Sequence, residues 1–330
     1  MANTRLCLGV EVCGGKDHAA MHGLPGLWKL LDALPRTRWP SCLRGDCAYG
    51  NQALLSAAEE RDLPYLCKLR HTNKVKTLLR QMQRAGASWQ DAGDGWQVLE
   101  ATLRLTGWSR ERRVVLVREA PALAPVGANA RRRRDRTQAP LPGSEDWEAG
   151  TAPWSGKIAV LVTSLDPRAF PAVAIARLYR ERADAENIYD ELKNQWGWAG
   201  YTTQKLAPCR LMASLIALIY NWWHLYARLF DGDHHREAIT SRPALLNGVG
   251  RLTAHSGQRT VKVSLQHEKG DLIAKAITSV SNTLQRFNTI AEQWTLEQRW
   301  TLLLTHIFRR WLGGKWLGEL PPQAVMFLSG

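Results

Sequence analysis

The sequence predicts an α/β fold, with a β-rich segment in the middle of the chain and a helical region at its carboxyl end. Strand and helix patterns alternate through the first 72 residues. Between Trp89 and Arg118, period-two alternation and glycine-rich breaks indicate β structure. Apolar residues recur at helical spacing from Leu272 to Phe287, which predicts a C-terminal helical unit.

The individual elements follow from local patterns, taken in chain order. Strands are predicted at Thr4–Val12, Ser41–Arg44, Tyr65–Leu69 and Ile158–Thr163. Helices are predicted at Leu24–Leu34, Gln52–Arg61, Thr72–Arg84, within Asp166–Trp196 and at Pro208–Phe230. Pro121 to Pro153 has the composition of a linker and contains the basic run from Arg131 to Arg136.

Composition narrows the class of partner. The chain has 330 residues, 45% of them hydrophobic, and a net charge of +14, so we expect a polyanionic partner such as nucleic acid. The most hydrophobic segment, Leu211 to Tyr220, is shorter than the about 20 apolar residues that span a bilayer, and it is interpreted as a buried core helix. Six cysteines without metal-binding or disulfide spacing favour a reducing cytoplasm.

One stretch, Leu178 to Lys193, combines four functional side chains at helical spacing. Tyr179, Arg182, Glu186 and Lys193 fall within an arc of roughly 60° if one helix carries them all. A carboxylate between two cations suits a site that binds a metal ion and a phosphate together. The alternative is an amphipathic surface helix on which Arg182 merely pairs with Glu186.

A second candidate site residue is Asp46, within Leu43–Asn51. An apolar approach, then Gly45 and Asp46, then a Gly-Asn break before a helical pattern, predicts strand, carboxylate, loop and helix. The end of a strand is a common place for a metal ligand in an α/β fold. The alternative is an aspartate that serves only a turn or a helix N-cap.

The spacing Tyr-x2-Arg-x3-Glu-x6-Lys resembles the signature of the DDE transposases of bacterial insertion sequences, around their last acidic residue. Asp46, about 140 residues earlier, resembles the second acidic residue of that family. Asn194–Trp198 and Tyr220–Trp223 are also similar, and the resemblance runs from about Leu6 to Trp311. It implies a ribonuclease-H-like core interrupted by a β-rich insertion.

This resemblance divides the chain into four regions. Residues 1–72 and 156–230 would form the two parts of the catalytic core, the second containing the signature helix. Residues 73–155 would form the β-rich insertion with its flexible basic linker, and residues 231–330 a C-terminal helical region.

The family chemistry implies DNA cleavage and strand transfer at insertion-sequence ends by carboxylates that hold two Mg²⁺ or Mn²⁺ ions. Asp46 and Glu186 would be catalytic metal ligands. Three residues of the signature, Tyr179, Arg182 and Lys193, would contact DNA. Lys74 and Lys76 could follow the phosphate backbone, or could simply form a solvated helix face. We expect a homo-oligomer on DNA, no membrane contact and a cytoplasmic location.

The first of the family's three carboxylates has no obvious counterpart. The strand pattern predicts that Glu11 faces away from the core. Asp17 is predicted to lie in a loop, and Asp32 on the solvated face of a helix. We therefore expect that the chain starts after this residue and lacks the central first strand, and that by itself it is unstable or oligomeric and inactive. Two alternatives are a catalytically dead DNA-binding or oligomerising regulator of a full-length transposase, and a gene remnant.

Overall fold

The computed structural model describes residues 4–16, 19–120, 158–181, 183–230, 236–246, 250–263, 270–291 and 294–318. The chain divides into two compact units. The sheet unit comprises Asp17–Arg182, and the helical unit comprises Met1–Lys16 together with Ala183–Gly330. Strands and helices occur together in a mixed arrangement, so the predicted α/β class is confirmed.

The sheet unit is built on a mixed six-stranded sheet with the order β1-β2-β6-β5-β4-β3. Its strands are β1 (Leu43–Gly45), β2 (Tyr65–Lys68), β3 (Gln90–Gly93), β4 (Trp96–Leu103), β5 (Arg112–Glu119) and β6 (Ala159–Thr163). β1 and β2 are parallel, and the other neighbouring pairs are antiparallel. Because β6 pairs with both β2 and β5, the predicted β-rich segment continues the same sheet.

Helices cover both faces of this sheet. On one face lie α1 (Ala19–Asp32), α2 (Gln52–Glu60) and α3 (Asn73–Arg84), which share a core with Val114 and Leu116 of β5. On the other face α4 (Ala172–Arg180) packs on a core that includes the alternate β5 residues Val115 and Val117. This alternation explains the apolar run Val114–Val117 in β5, because both faces of the strand are buried there.

The helical unit contains five helices among its described residues. They are α5 (Ala183–Gln195), α6 (Leu206–Phe230), α7 (Ala238–Leu246), α8 (Gly270–Ala291) and α9 (Leu296–Leu312). An antiparallel hairpin of β7 (Gly250–His255) and β8 (Gln258–Val263) lies between α7 and α8. Ser256 and Gly257, both with positive φ, form its two-residue turn. The C-terminal region is therefore not purely helical.

The strand predicted at Thr4–Val12 is wrong, because the structure assigns these residues no strand. Side chains of α6 take the backbone polar groups instead. Asn221 Oδ1 accepts from Cys7 N at 2.8 Å, and Asn221 Nδ2 donates to Cys7 O at 2.6 Å. The Tyr220 hydroxyl donates to Arg5 O at 2.9 Å. Backbone groups that bond to side chains are satisfied without a strand ladder.

The interpretation of Leu211–Tyr220 as a buried core helix is also wrong in part. Ala213, Ala217 and Tyr220 are buried, but Leu211 is 61% exposed and Trp222, just beyond the segment, is 64% exposed. One side of α6 packs inside the helical unit while an apolar side faces outward. Among the described helices, none is long and apolar enough to cross a membrane.

Some of the sequence predictions concern residues that the structure does not describe. The whole linker predicted at Pro121 to Pro153, including the basic run Arg131–Arg136, lies outside the described residues, as does Asp17. The four predicted regions, with boundaries after residues 72, 155 and 230, stay predictions.

Candidate active site

Asp46 lies directly after β1, at the carboxyl end of that strand, and its side chain is exposed. Its Oδ1 atom accepts a hydrogen bond from Ala48 N at 2.8 Å, and its carbonyl accepts from Tyr49 N at 3.1 Å. The predicted strand, carboxylate and turn are thus present. The turn fixes the direction of the Asp46 carboxylate without burying it.

Two glycines allow this turn to pack tightly against β2. A Cβ atom on Gly45 would lie 2.8 Å from Tyr49 Cβ and 3.0 Å from Cys67 Sγ. A Cβ atom on Gly50 would lie 2.5 Å from the backbone oxygen of Lys68. Real Cβ atoms essentially never lie within 3.0 Å of another heavy atom, so the turn around Asp46 favours glycine at both positions.

Asn51 completes the segment by joining the turn to α2. Its Oδ1 atom accepts from Leu54 N at 3.1 Å, which caps the helix, and its Nδ2 atom donates to Ala48 O at 2.9 Å. The N-cap role that the sequence offered to Asp46 therefore belongs to Asn51. Asp46 forms the turn, and its exposed carboxylate is available for a further role.

The single continuous helix expected for the signature is wrong. α4 ends at Arg180 and α5 begins at Ala183, so Tyr179 and Glu186 lie on two different helices, in the sheet unit and the helical unit respectively. Arg182, between them, lies outside the described residues. The common stripe that the spacing predicted across all four side chains is not formed by one helix.

Tyr179 lies beside the strand that leads to Asp46. It is half-buried and packs against the cluster on the α4 face of the sheet, together with Cys42 and Leu178. Arg44 of β1 donates from Nη1 to the carbonyl oxygen of Leu178 at 2.5 Å, and the same atom lies 3.8 Å from Glu181 Oε2. The end of α4 is thereby fixed next to the end of β1.

Glu186 and Lys193 both lie on α5, and both are exposed. Seven residues correspond to nearly two helical turns, about 10 Å along the axis, so the two side chains share one side of α5. Glu186 and Lys193 are therefore aligned on one helix face, as their spacing predicted. Whether Glu186 meets Asp46, which belongs to the sheet unit, stays a prediction.

Lys74 and Lys76 lie in the first turn of α3, and both are exposed. Val75 and Leu78 of the same helix are buried against the sheet. Arg80 and Arg84 are also exposed and lie on the same side of the helix as Lys76, whereas Lys74 lies about 200° from Lys76 around the axis. The arrangement is compatible with contact to a phosphate backbone, and equally with a solvated helix face.

The described residues contain no group of three or more histidine, cysteine, aspartate or glutamate side chains that could hold a metal ion. Asp46 and Glu186 nevertheless fit a magnesium ion in chemical type, because Mg²⁺ prefers carboxylate oxygens and both carboxylates are exposed. Their chemistry agrees with the expected ligands, while the geometry of a shared site is a proposal.

Sequence reasoning missed two residues that contact the candidate site's framework. Arg44 fixes the end of α4, and Glu191 is buried on the inner side of α5 and bonds to other helices of its unit. Arg44 stands two residues before Asp46 in the quoted motif, but its partner is 134 residues away. For Glu191, the only local signal was a carboxylate beside Leu192, on the apolar side of the helix.

A sequence model of one protein family, the transposase DDE domain, matches residues 2–222. No match to a curated protein was found. The matched region covers both Asp46 and the whole Tyr-Arg-Glu-Lys stretch, and it includes more than half of the chain. The chain therefore belongs to the DDE transposase family.

Proposed function

We propose that this chain contributes Asp46 and Glu186 to the active site of a transposase that cleaves and joins DNA at insertion-sequence ends. The observation that carries the proposal is the exposed Asp46 carboxylate at the end of β1. A turn that depends on two glycines and Asn51 holds it there. Family membership supplies the reaction class, and this geometry supports Asp46 as one of the acidic residues.

The proposed fold of the catalytic core is ribonuclease-H-like. Three features support it: the parallel pairing of β1 with β2, the carboxylate at the end of β1, and helices on both faces of the sheet. In such a core, Asp46 would lie at the sheet edge where strands end, which is a common ligand position in α/β folds.

Asp46 and Glu186 would hold divalent metal, Mg²⁺ or Mn²⁺, with two ions expected in the complete site. When bound, such ions activate an attacking oxygen and stabilise the leaving oxygen during displacement at a phosphate. The chain's own part is to present two exposed carboxylates from rigid elements, a strand end and a helix. The hydrogen bond from Ala48 N to Asp46 Oδ1 orients this carboxylate in the absence of metal.

The remaining signature residues would bind DNA. Lys193 shares a helix face with Glu186 and would contact a phosphate near the scissile bond. Arg182 would do the same. Tyr179, whose hydroxyl oxygen is buried, would support these contacts by packing the end of α4. Lys74 and Lys76 would add phosphate contacts along α3. We expect the protein to act as a homo-oligomer on DNA, in the cytoplasm.

A second candidate is a DNA-binding regulator that does not cleave. The exposed basic side of α3 and the net charge of +14 favour DNA binding independently of any metal site. This candidate predicts binding to insertion-sequence ends with no strand cleavage, and inhibition of a catalytically complete transposase when the two proteins are mixed.

The experiment is a cleavage and strand-transfer assay with Mg²⁺ or Mn²⁺ on DNA that carries the element's own ends. The chain is assayed alone and in a form with an added amino-terminal segment that carries a third carboxylate, which the resemblance implies. Asp46→Asn and Glu186→Gln should abolish cleavage, while Glu60→Gln, an exposed carboxylate of α2, should not. Cleavage that survives Asp46→Asn would overturn the assignment, and binding without cleavage in either form would favour the regulator.

A further inference from the structure

A buried carboxylate and a buried imidazole face each other inside the helical unit. Glu191 of α5 is 1% exposed and His224 of α6 is 2% exposed, and Glu191 Oε1 lies 3.2 Å from His224 Nε2. Burial of an ionisable pair is costly unless both groups are hydrogen-bonded. No role assigned to the signature residues uses either side chain, so the pair calls for a separate explanation.

The same carboxylate also binds the start of another helix. Glu191 Oε1 accepts a hydrogen bond from Ala238 N, the first residue of α7, at 2.9 Å, and one from Trp196 Nε1 at 3.4 Å. The first amide groups of a helix have no partner within that helix, and a negative charge there is favourable. Glu191 therefore joins α5 to α6 and to the amino end of α7 at one point.

Gln195, one turn further along α5, repeats this contact. Its Oε1 atom accepts from Ile239 N at 2.8 Å, and its Nε2 atom donates to Glu237 Oε2 at 2.7 Å. Two side chains of α5 thus bind two successive amide groups at the start of α7. The carboxyl half of α5 is held against both neighbouring helices through polar contacts that fix its rotation as well as its distance.

Glu186 lies five residues before Glu191 on this helix. Five residues advance about 7.5 Å along the axis and about 140° around it, which places Glu191 inward and Glu186 outward. Because a helix is stiff over this distance, a rotation of its inner side displaces the Glu186 carboxylate. Metal ligands need placement within about 0.5 Å and 10–20° of the productive geometry.

We propose that Glu191 is a positioning residue for Glu186: its contacts with His224 and the start of α7 set the rotation and axial position of α5, and so the placement of the metal-binding carboxylate. The proposal rests on the proposed function of Glu186 as a metal ligand. Gln195 supports the same arrangement from the next turn. Neither residue would touch DNA or metal.

The experiment compares Glu191→Ala and Glu191→Gln with wild type by two readouts. The first is the Mn²⁺ concentration that gives half-maximal DNA cleavage, in whichever form of the protein cleaves. The second is amide hydrogen exchange of the folded chain, read for α5 and the first turn of α7 against α8 and α9. Asp190→Asn is the matched control, because Asp190 is exposed on the same helix and bonds only to Asn194 among the contacts identified.

Glu191→Ala should raise the required Mn²⁺ concentration about 10-fold or more, as losses of groups that orient metal ligands do. It should speed exchange in α5 and at the start of α7 while exchange in α8 and α9 is unchanged. Glu191→Gln keeps an acceptor oxygen and should show smaller changes in both measurements. If the alanine variant does not fold, the glutamine variant is compared with wild type instead. Asp190→Asn should behave as wild type.

Unchanged exchange in α5, or a uniform increase over the whole helical unit, would overturn the positioning role whether or not the protein cleaves DNA. The Glu186→Gln variant separates this result from a failure of the proposed function. If Glu186→Gln still cleaves, the metal-ligand assignment fails, while hydrogen exchange still reports on Glu191. If Glu186→Gln is inactive and Glu191→Ala leaves the Mn²⁺ requirement unchanged, only the positioning role fails.

Discussion

Arg44 Nη1 donates a hydrogen bond to the carbonyl oxygen of Leu178 at 2.5 Å, joining the strand before Asp46 to the end of the helix that carries Tyr179. In an uninterrupted helix, the carbonyl of residue 178 would accept from the amide of residue 182. The last carbonyls of a helix need other partners where the helix stops. Arg44 supplies such a partner at the point where the signature stretch divides into α4 and α5.

Replacement of Arg44 by alanine should loosen the end of α4 and lower the stability of the sheet unit by about 2 kcal/mol, the typical contribution of a hydrogen bond to a charged group. DNA cleavage should fall by more than the folded fraction does, because Tyr179 loses its fixed position. Thermal unfolding and cleavage rates measure the two effects. Arg168→Ala, at an exposed loop position, is the control and should change neither. An Arg44→Ala protein with normal stability would contradict this role.

Alanine at Gly50 should destabilise the turn around Asp46. Its Cβ atom would lie 2.5 Å from the backbone oxygen of Lys68, so the strand or the turn must move, at a cost of about 1–3 kcal/mol. Gly15→Ala is the control, since a Cβ atom there meets nothing within 4 Å. Thermal melts of the two variants should differ by several degrees. Equal melting temperatures would mean that the turn packs differently.

Glu59 should make the stability of the sheet unit depend on pH. Partial burial raises its pKa, but hydrogen bonds from Arg112, Tyr65 and Arg110 and the charge of Arg112 outweigh burial and lower the pKa from 4.5 to about 2. Arg112 binds both carboxylate oxygens, at 2.8 and 3.0 Å, and the Glu59 side chain is only 18% exposed.

A pKa that is lower in the folded state gives stability that is complete above the unfolded pKa, near 4.5, and is lost as pH falls towards 2. Glu59→Gln should therefore be less stable than wild type at pH 7, by up to about 3 kcal/mol, with a difference that shrinks on acidification. Urea unfolding at several pH values between 3 and 7 measures this. Parallel stability profiles for the two proteins would show that Glu59 is not the titrating group.

The cysteines near Asp46 should react at very different rates with a thiol reagent. Cys47 is exposed next to Asp46, whereas burial raises the pKa of Cys67 to about 12 and that of Cys42 to about 11. Because the thiolate is the reactive form, Cys47 should be modified first in the folded protein. Mass spectrometry after a short exposure identifies the modified residue. Modification of Cys67 before Cys47 would contradict the described packing of β1 on β2.

Removal of Lys74 and Lys76 should weaken DNA binding mainly through electrostatics. If both contact phosphates, the double alanine variant should reduce the slope of log K against log salt by about 2. Binding titrations over a range of salt concentrations provide the slope. A variant with alanine at Lys29 of α1 and Lys275 of α8 loses the same charge at exposed positions on other helices. Equal slopes for the two double variants would identify the α3 lysines as solvated residues.

Local patterns were enough to predict the strand, turn and helix around Asp46, although the helix cap is Asn51 and not Asp46. These elements are encoded within nine residues, and Gly45, Gly50 and Asn51 act on immediate neighbours or on the adjacent strand. The α/β class followed from the same kind of signal. Such features depend on short-range sterics and hydrogen bonds, which a single sequence displays directly.

The two wrong predictions, a strand at Thr4–Val12 and one continuous signature helix, involve contacts with residues far away in the sequence. The alternation in Thr4–Val12 is that of a strand, but its backbone groups bond to Tyr220 and Asn221, more than 200 positions away. The stretch from Leu178 to Lys193 has helical spacing throughout, yet it divides where Arg44, 134 positions earlier, binds Leu178. Tertiary contacts of this kind override local propensity and leave no periodic signal.

Metal-specificity rescue tests the central claim, that Asp46 and Glu186 bind the catalytic metal, most directly. Each residue is replaced by cysteine in the form of the protein that cleaves DNA, and cleavage is measured with Mg²⁺ and with Mn²⁺. Thiolate is a poor ligand for Mg²⁺ and accepts softer ions more readily. Both variants should be inactive with Mg²⁺ and recover part of their cleavage with Mn²⁺. Wild-type activity of either variant with Mg²⁺ would contradict the assignment of that carboxylate as a metal ligand.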